Sequence, residues 1–334
     1  MRMRTLPALG FVAALLMTAT ARAEDVSLAI PTPSMIFAYV HVADAQGFWK
    51  EQGLNVKQVY APGIAATNVV LAGSVPMGHN TGGTVVRANA RGGDLVTLAN
   101  TVEAPMTEIV LRKDVAERLK LSMKDPVEAR AKAMKGLTIA VNSPNTIIHG
   151  YLNYAATKGG LDPAKDIIVT PIEATAMIAA LRNKQIDGFT FASPYTSTAI
   201  SEGLAVKWVS SVDGDFPELV PFGYNLVIAK KGFCPANEVT CRKFMAGLNK
   251  ALVFMHEHRA ETLAILRKHF DKMEPAIVEA SFNDLMKATP RVGKVDIRAM
   301  QNAQSFSLAV GLLRQDEVVS DFSGYIDNRY VAPK

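Results

Sequence analysis

Short β-branched runs alternate with helical stretches along this sequence, a pattern that predicts an α/β protein of two similar lobes facing one cleft. Three observations carry that prediction: the strand–helix spacing, a correspondence between the two halves, and polar loops where predicted strands give way to helices. Residues 26–31 read as a strand, and residues 37–52 have helical spacing that stops at Gly53, where a left-handed cap suits glycine. Residues 55–60 (NVKQVY) alternate as a strand, residues 65–72 form a short helix, and residues 75–78 a brief strand. A helix over 82–90 ends at Arg91-Gly92-Gly93, followed by strands at 95–99 and 108–112. Such alternation argues for parallel sheets.

The middle of the chain repeats the scheme. Residues 137–142 form a strand, after which Ser143-Pro144 resembles an N-cap with proline at the first helical position. The helix that follows runs to Lys158-Gly159-Gly160. Residues 166–171 are a strand, 174–183 a helix and 186–191 a strand, with a loop and helix from Ser193. From 238 to 313 the pattern is helical, broken near 272–275 and 290–293.

The halves correspond weakly. Gly73-Ser74-Val75-Pro76-Met77-Gly78 leads into His79-Asn80-Thr81-Gly82, as Lys184-Gln185-Ile186-Asp187-Gly188-Phe189 leads toward Phe191-Ala192-Ser193-Pro194. Each half reads helix, buried strand, polar loop, helix. Two such lobes turn their strand C-termini and helix N-termini toward a shared cleft. No Pro/Ser/Gly tether separates them, so the chain is expected to cross through strands. The expected division is 24–104 and 223–334 for one lobe and 105–222 for the other.

The first 23 residues read as an export leader. A basic start at Arg2 and Arg4 precedes an apolar and small-residue run over 6–20, and Ala21-Arg22-Ala23 is a small-x-small cleavage pattern. The apolar run is shorter than the roughly 20 residues a spanning helix needs. The whole chain of 334 residues has a net charge of +5, but without the leader 33 basic residues face 31 acidic ones, leaving +2. Nucleic-acid binding thereby loses its main support, since no basic stripe interleaved with aromatics remains. The 49% hydrophobic content excludes a disordered chain, and two cysteines exclude a disulfide scaffold. Cys234 and Cys241 bracket one Pro-Ala-Asn loop. In an oxidising compartment they are expected to pair, stapling a helix entrance; the alternative is two buried thiols.

Catalytic signatures are absent. There is no G-x-S-x-G, HExxH, Walker A or dinucleotide fingerprint. His256 and His258 lie two apart on a predicted helix and so point to different faces; with His269 they read as structural or solvated groups. No metal site and no cofactor are expected.

Polar loops at predicted helix N-termini remain: Thr32-Pro33-Ser34, Asn80-Thr81-Gly82, Ser143-Pro144-Asn145-Thr146 and Ser193-Pro194-Tyr195-Thr196. Each offers free backbone N–H groups, a hydroxyl or amide, and the positive end of a helix dipole. Plain capping explains any one of them alone. Four at equivalent places can hold a small anion without a basic side chain, and none of these loops contains Lys or Arg. Among the aromatics alongside, Phe191 reads as core, ending a buried strand, while Tyr39, Tyr195 and Tyr224 are cleft candidates because a phenol packs and hydrogen-bonds at once. The candidate ligand-binding set is Ser34, Phe37, Tyr39, Asn80, Thr81, Asn145, Thr146, Ser193, Tyr195 and Tyr224. Glu103 reads as solvated or structural, with a ligand amine as its other possible partner.

At these residues the chain resembles the periplasmic substrate-binding proteins of the sulfonate/taurine/nitrate and thiamine-pyrimidine-precursor type. The matching segments are Ala45-Gln46-Gly47-Phe48-Trp49-Lys50-Glu51-Gln52-Gly53-Leu54-Asn55-Val56, Leu71-Ala72-Gly73 with Val75, and Met134-Lys135-Gly136-Leu137-Thr138-Ile139-Ala140-Val141. Ala180-Leu181, Ile186-Asp187-Gly188 and Asp321-Phe322-Ser323-Gly324-Tyr325-Ile326-Asp327 extend the match over the mature chain. Pro76 departs from the Asp usual in the family. Related cytoplasmic enzymes that make a thiamine pyrimidine carry a Cys-rich motif absent here.

The resemblance implies a hinged, two-lobe periplasmic binding protein of type II. Such a protein delivers a small-molecule solute to the membrane permease subunits of an ABC importer, and a monomer is expected. Its solute is a small sulfonate or carboxylate, or else a planar aromatic or pyrimidine. An extracytoplasmic enzyme acting on a small anion is the competing class. N-terminal sequencing of the exported protein is expected to begin at Glu24; a chain still starting at Met1 or Arg2 would overturn the leader assignment.

Overall fold

The computed structural model describes residues 23–331. The leader assigned to residues 1–23 lies, apart from Ala23, outside the described residues, as does 332–334. The strands are β1 (Glu24–Ile30), β2 (Leu54–Tyr60), β3 (Met77–Asn80), β4 (Leu95–Asn100), β5 (Glu108–Arg112), β6 (Thr138–Val141), β7 (Ile168–Pro171), β8 (Gly188–Phe191), β9 (Ala205–Ser210) and β10 (Leu226–Lys230). They form two five-stranded sheets, ordered β2-β1-β3-β10-β4 and β7-β6-β8-β5-β9. The chain passes from the first sheet to the second between β4 and β5 and returns between β9 and β10.

The sheets are mixed rather than parallel, which corrects the expectation drawn from alternation. β1 runs parallel to β2 and β3, and β6 parallel to β7 and β8. β10 is antiparallel to β3 and β4, and β5 is antiparallel to β8 and β9. The reversed strand in each sheet is the one by which the chain arrives from the other sheet. Side-chain alternation reports that a segment is a strand, not which way it runs.

The two strand orders match position for position, with β10 taking in the first sheet the place β5 takes in the second. The corresponding segments 73–82 and 184–194 fall on the equivalent strands β3 and β8. The predicted strand at 75–78 begins instead at Met77, because Pro76 has no N–H to give a ladder. The helical stretch at 37–52 is three pieces: a 3₁₀ turn Met35–Phe37, a helix Ala38–Ala45 and a 3₁₀ turn Lys50–Gln52. Gly47 takes φ 72° between the last two, a conformation that ends the helix.

A continuous buried apolar cluster runs from Leu28 on β1 through Met106 in the crossing to Ile109 on β5 and Ile139 on β6. The C-terminal helices lie across both layers. Helix Pro275–Ala288 packs on helix Tyr195–Ser201, and helix Ile297–Ala309 packs on helices Gly82–Ala90 and Ile147–Lys158. The second contact is close: a Cβ built on Gly83 would sit 2.0 Å from Ser307 Oγ, so that position excludes any larger side chain. The disulfide Cys234–Cys241 joins the short helix Phe233–Ala236 to the long helix Glu238–Glu257.

Helix Pro275–Ala288 is also held by charge. Lys207 Nζ on β9 lies 2.7 Å from Glu108, 2.7 Å from Asp213 and 3.1 Å from Asp284. Lys287 Nζ contacts Asp213 at 2.5 Å and Asp284 at 2.7 Å. Burial pushes the Asp213 carboxyl up, but hydrogen bonds from Lys207 and Lys287 outweigh it and hold the pKa at about 2. A carboxyl held below its unfolded value of 3.8 stabilises the fold above that value, and the contribution fades as pH falls toward 2. Asp213→Asn is therefore expected to cost roughly 2 kcal/mol near neutrality. In urea titrations across pH, its difference from wild type should shrink below about pH 4; a constant difference would remove this role.

Candidate functional site

Between the sheets lies a cleft of about 600 Å³. Its walls come from the C-terminal ends of parallel strands. Thr32, Ser34 and Ile36 follow β1, Tyr60 and Pro62 end β2, and Asn80 and Thr81 end β3. Opposite them stand Asn142, Thr146 and Ile147 after β6, Glu173 and Thr175 after β7, and Phe191, Ser193 and Tyr195 after β8. Tyr224 and Asn225, entering β10, form the floor. Six parallel strand ends thus face one another across the opening, the place where open α/β sheets present ligand-binding loops.

Capping fixes the polar groups. Asn80 Oδ1 accepts from Thr81 N at 2.9 Å while its amide donates to Thr67 Oγ1 at 2.7 Å. Thr81 caps helix Gly82–Ala90, its Oγ1 accepting from Thr84 N at 3.4 Å. Helix Ile147–Lys158 starts three residues later than Ser143-Pro144 suggests. Thr146 caps it, accepting from His149 N at 3.3 Å and donating to Ser143 O at 2.9 Å. Asn145 precedes with φ 59°, so the chain turns there before the helix begins. Ser193 Oγ and Ser197 Oγ are 2.6 Å apart, and Ser34 Oγ accepts weakly from Ile36 N at 3.5 Å.

Most predicted site residues meet in this cleft: Ser34, Asn80, Thr81, Thr146, Ser193, Tyr195 and Tyr224. Asn145 instead lines a side chamber of about 430 Å³ that shares Gly63, Asn80, Thr81, Thr146 and Ile147 with the cleft. Phe37 and Tyr39 do not reach it. Each is 1% exposed, and the Tyr39 hydroxyl is 2.7 Å from His79 Nε2 behind the floor. Burial raises the Tyr39 phenol well above its usual range and lowers the His79 imidazole to about 3, so both are neutral. Tyr39, expected in the cleft because a phenol packs and hydrogen-bonds at once, instead lies on the buried face of helix Ala38–Ala45. Phe191 moves the other way: it is half-buried, lines the cleft and meets the Tyr195 ring edge-on at 5.2 Å. Glu103 borders a separate concavity with Lys294 and Asp296; burial, then Asp296, raises its carboxyl pKa.

Among the described residues no lysine or arginine lines the main cleft, where Glu173 is the charged residue. Arg87 lines the side chamber. Sequence reasoning passed over Asn142, Asn225, Glu173 and Arg87. Asn142 adjoins the polar loop Ser143–Thr146 and Asn225 adjoins Tyr224, whereas Arg87 lies inside a helix, away from any loop signal. A larger concavity of about 830 Å³ lies on the side of helix Glu238–Glu257 with Phe48 and Tyr330. None of its residues comes from the second sheet or the helices between its strands. Among the described residues no helix is long and apolar enough to cross a membrane, and no cluster of His, Cys, Asp and Glu could hold a metal ion.

Asn225 is 2% exposed and fixes the floor. Its amide donates to Thr101 Oγ1 at 2.8 Å and to Ile36 O at 3.2 Å. Asn225→Ala should destabilise the fold by about 1–3 kcal/mol, the cost of buried groups left unpaired. Asn225→Asp should not restore it, because a carboxylate cannot donate to Ile36 O. Denaturant titration checks both, and an Asn225→Ala midpoint equal to wild type would remove the role.

Comparison with known proteins agrees with this geometry. YtlA of Bacillus subtilis (strain 168) is 23% identical over 269 residues, covering 78% of this chain and 75% of YtlA. A solved structure from Bordetella bronchiseptica RB50 matches with a TM-score of 0.73 at 20% identity, covering 93% of this chain and 96% of the other. The alkanesulfonate-binding protein SsuA from Xanthomonas axonopodis pv. citri, bound to MOPS, matches with a TM-score of 0.65 at 18% identity, covering 87% and 95% respectively. These structures share the two-lobe α/β fold of periplasmic binding proteins. The model of the NMT1-like family matches residues 24–268, and the chain belongs to that family.

Proposed function

We propose that this protein is the solute-binding component of an ABC importer, located in the periplasm and working as a monomer with the membrane permease subunits. It captures a small organic anion, a sulfonate or carboxylate, between a lobe of residues 24–104 with 223–334 and a lobe of residues 105–222. One observation carries the reading: six strand ends from two sheets converge on one cleft whose polar groups, apart from the exposed Glu173, are hydroxyls, amides and helix N-termini. The export leader and the SsuA likeness support it.

The chemistry follows from dipoles. The N-termini of helices Gly82–Ala90 and Ile147–Lys158 reach the cleft at their caps, Thr81 and Thr146. Their free N–H groups favour negative charge on a solute lying between them. Ser34, Asn80 and Thr81 hold it from one wall, and Asn145, Thr146, Ser193 and Tyr195 from the other, with Tyr224 below. A solute bridging both walls stabilises the closed arrangement of the lobes, because only there do both sets of contacts form. The Phe191–Tyr195 pair favours a second reading, a planar aromatic or pyrimidine solute stacked on the wall.

A thermal-shift screen over sulfonates, carboxylates, nitrate and pyrimidines is expected to raise the unfolding temperature with an organic acid. A shift confined to pyrimidines would favour the second reading. Calorimetry should then find binding to Thr146→Ala and Ser193→Ala weaker by roughly 1–3 kcal/mol. Unchanged affinity in both would move the site elsewhere, and turnover of the bound solute would replace transport by an enzymatic role.

A further inference from the structure

We infer that Arg87 is the anion-recognising residue of the cleft and that the solute is an elongated acid with an apolar body, longer than a small inorganic anion. The inference rests on the solute-binding reading above and sharpens its ligand class. Among the residues lining the cleft and its side chamber, Arg87 and Glu173 are the charged ones, and they lie in different compartments. Arg87 projects from helix Gly82–Ala90 into the side chamber and is half-buried. One of its donors, Nη1, reaches Leu312 O at 3.3 Å, and no carboxylate pairs with it among the described residues.

A half-buried guanidinium with one carbonyl partner keeps most of its five donors unused. Their fork geometry matches a carboxylate or sulfonate. The chamber and the main cleft share Thr81 and Thr146, the helix caps of the two walls, as lining residues. An acid group held between Arg87 and those two caps therefore leaves the rest of its molecule reaching toward Phe191 and Tyr195, which offer ring faces and edges. Glu173 is exposed on the wall that carries these rings, so it disfavours a second negative charge at that end. Nitrate has the charge but cannot span both compartments.

The test uses phenylpropanoate and hexanesulfonate as probes, with phenylpropanamide as the neutral counterpart and nitrate as the short anion. Titration calorimetry on the full mature protein should give binding of at least one acid. Affinity should fall roughly 10- to 100-fold in Arg87→Gln, with Arg87→Lys retaining part of it. The amide should bind wild type as weakly as the acid binds Arg87→Gln, a comparison that does not depend on a variant folding. Thermal unfolding without probe should move little in Arg87→Gln, separating recognition from the tie to Leu312. If an acid binds but Arg87→Gln or the amide matches it, Arg87 is not the anion site and the solute-binding reading survives. If nitrate binds as tightly as either acid, the elongated ligand class falls. If neither acid binds wild type, this inference and the organic-anion reading fall together.

Discussion

The side chain of Asn225 is the small constraint on which the cleft depends. Its amide ties the loop after β1, at Ile36, to the start of the crossing, at Thr101. Its own carbonyl accepts from Thr101 N at 3.0 Å and Thr101 Oγ1 at 3.1 Å. Three segments far apart in sequence are fixed at the point where the chain leaves the first sheet and where it comes back. Asn225 is also the last residue before β10, the strand inserted between β3 and β4. Once it is in register, Leu226 pairs with Asn80 on one side and Asn100 on the other, which places the polar end of β3 beside the floor.

The second sheet solves the same problem with β5, the first strand after the crossing. Each lobe therefore has a reversed strand next to the strand whose loop lines the cleft, β10 beside β3 and β5 beside β8. The two solutions make the cleft nearly symmetric in backbone while leaving it asymmetric in side chains. Asn80 and Thr81 end β3, whereas Phe191 and Ser193 end β8. Both walls present an amide and a capped helix, Asn80 with Thr81 and Asn142 with Thr146, and the second adds the Phe191–Tyr195 rings and the Ser193 hydroxyl.

This division explains what could be read from sequence. Helix Gly82–Ala90 and strand Glu108–Arg112 are set by local pattern, and their observed bounds equal the expected ones. Strand direction is not a local property, so the reversed strands were invisible, and β9 and β10 were not singled out. Loop chemistry was legible because Ser, Thr and Asn cap helices wherever they sit. The shift from Ser143 to Thr146 arises because two residues there compete as cap, and only the turn at Asn145 decides between them. Tyr39 failed for a different reason. A tyrosine near a loop suits a cleft and a core equally, and the partner that settles it, His79, is 40 residues away.

Charge is distributed so that the cleft is left almost without it. Lys207, Lys287 and the carboxylates of Glu108, Asp213 and Asp284 gather where helix Pro275–Ala288 meets the second sheet. A buried bidentate pair, Arg130 with Asp215, lies behind the same sheet, with Arg130 2% exposed. The Arg130–Asp215 charges offset one another, and in the larger cluster two lysines face three carboxylates, so most of the charge is compensated locally. Apart from Glu173, the main cleft is left with helix dipoles and neutral polar groups, which act within the first turn and fade quickly. Such a site acts on a solute at short range rather than through a strong long-range field. A protein that must take up a solute and then surrender it needs that balance.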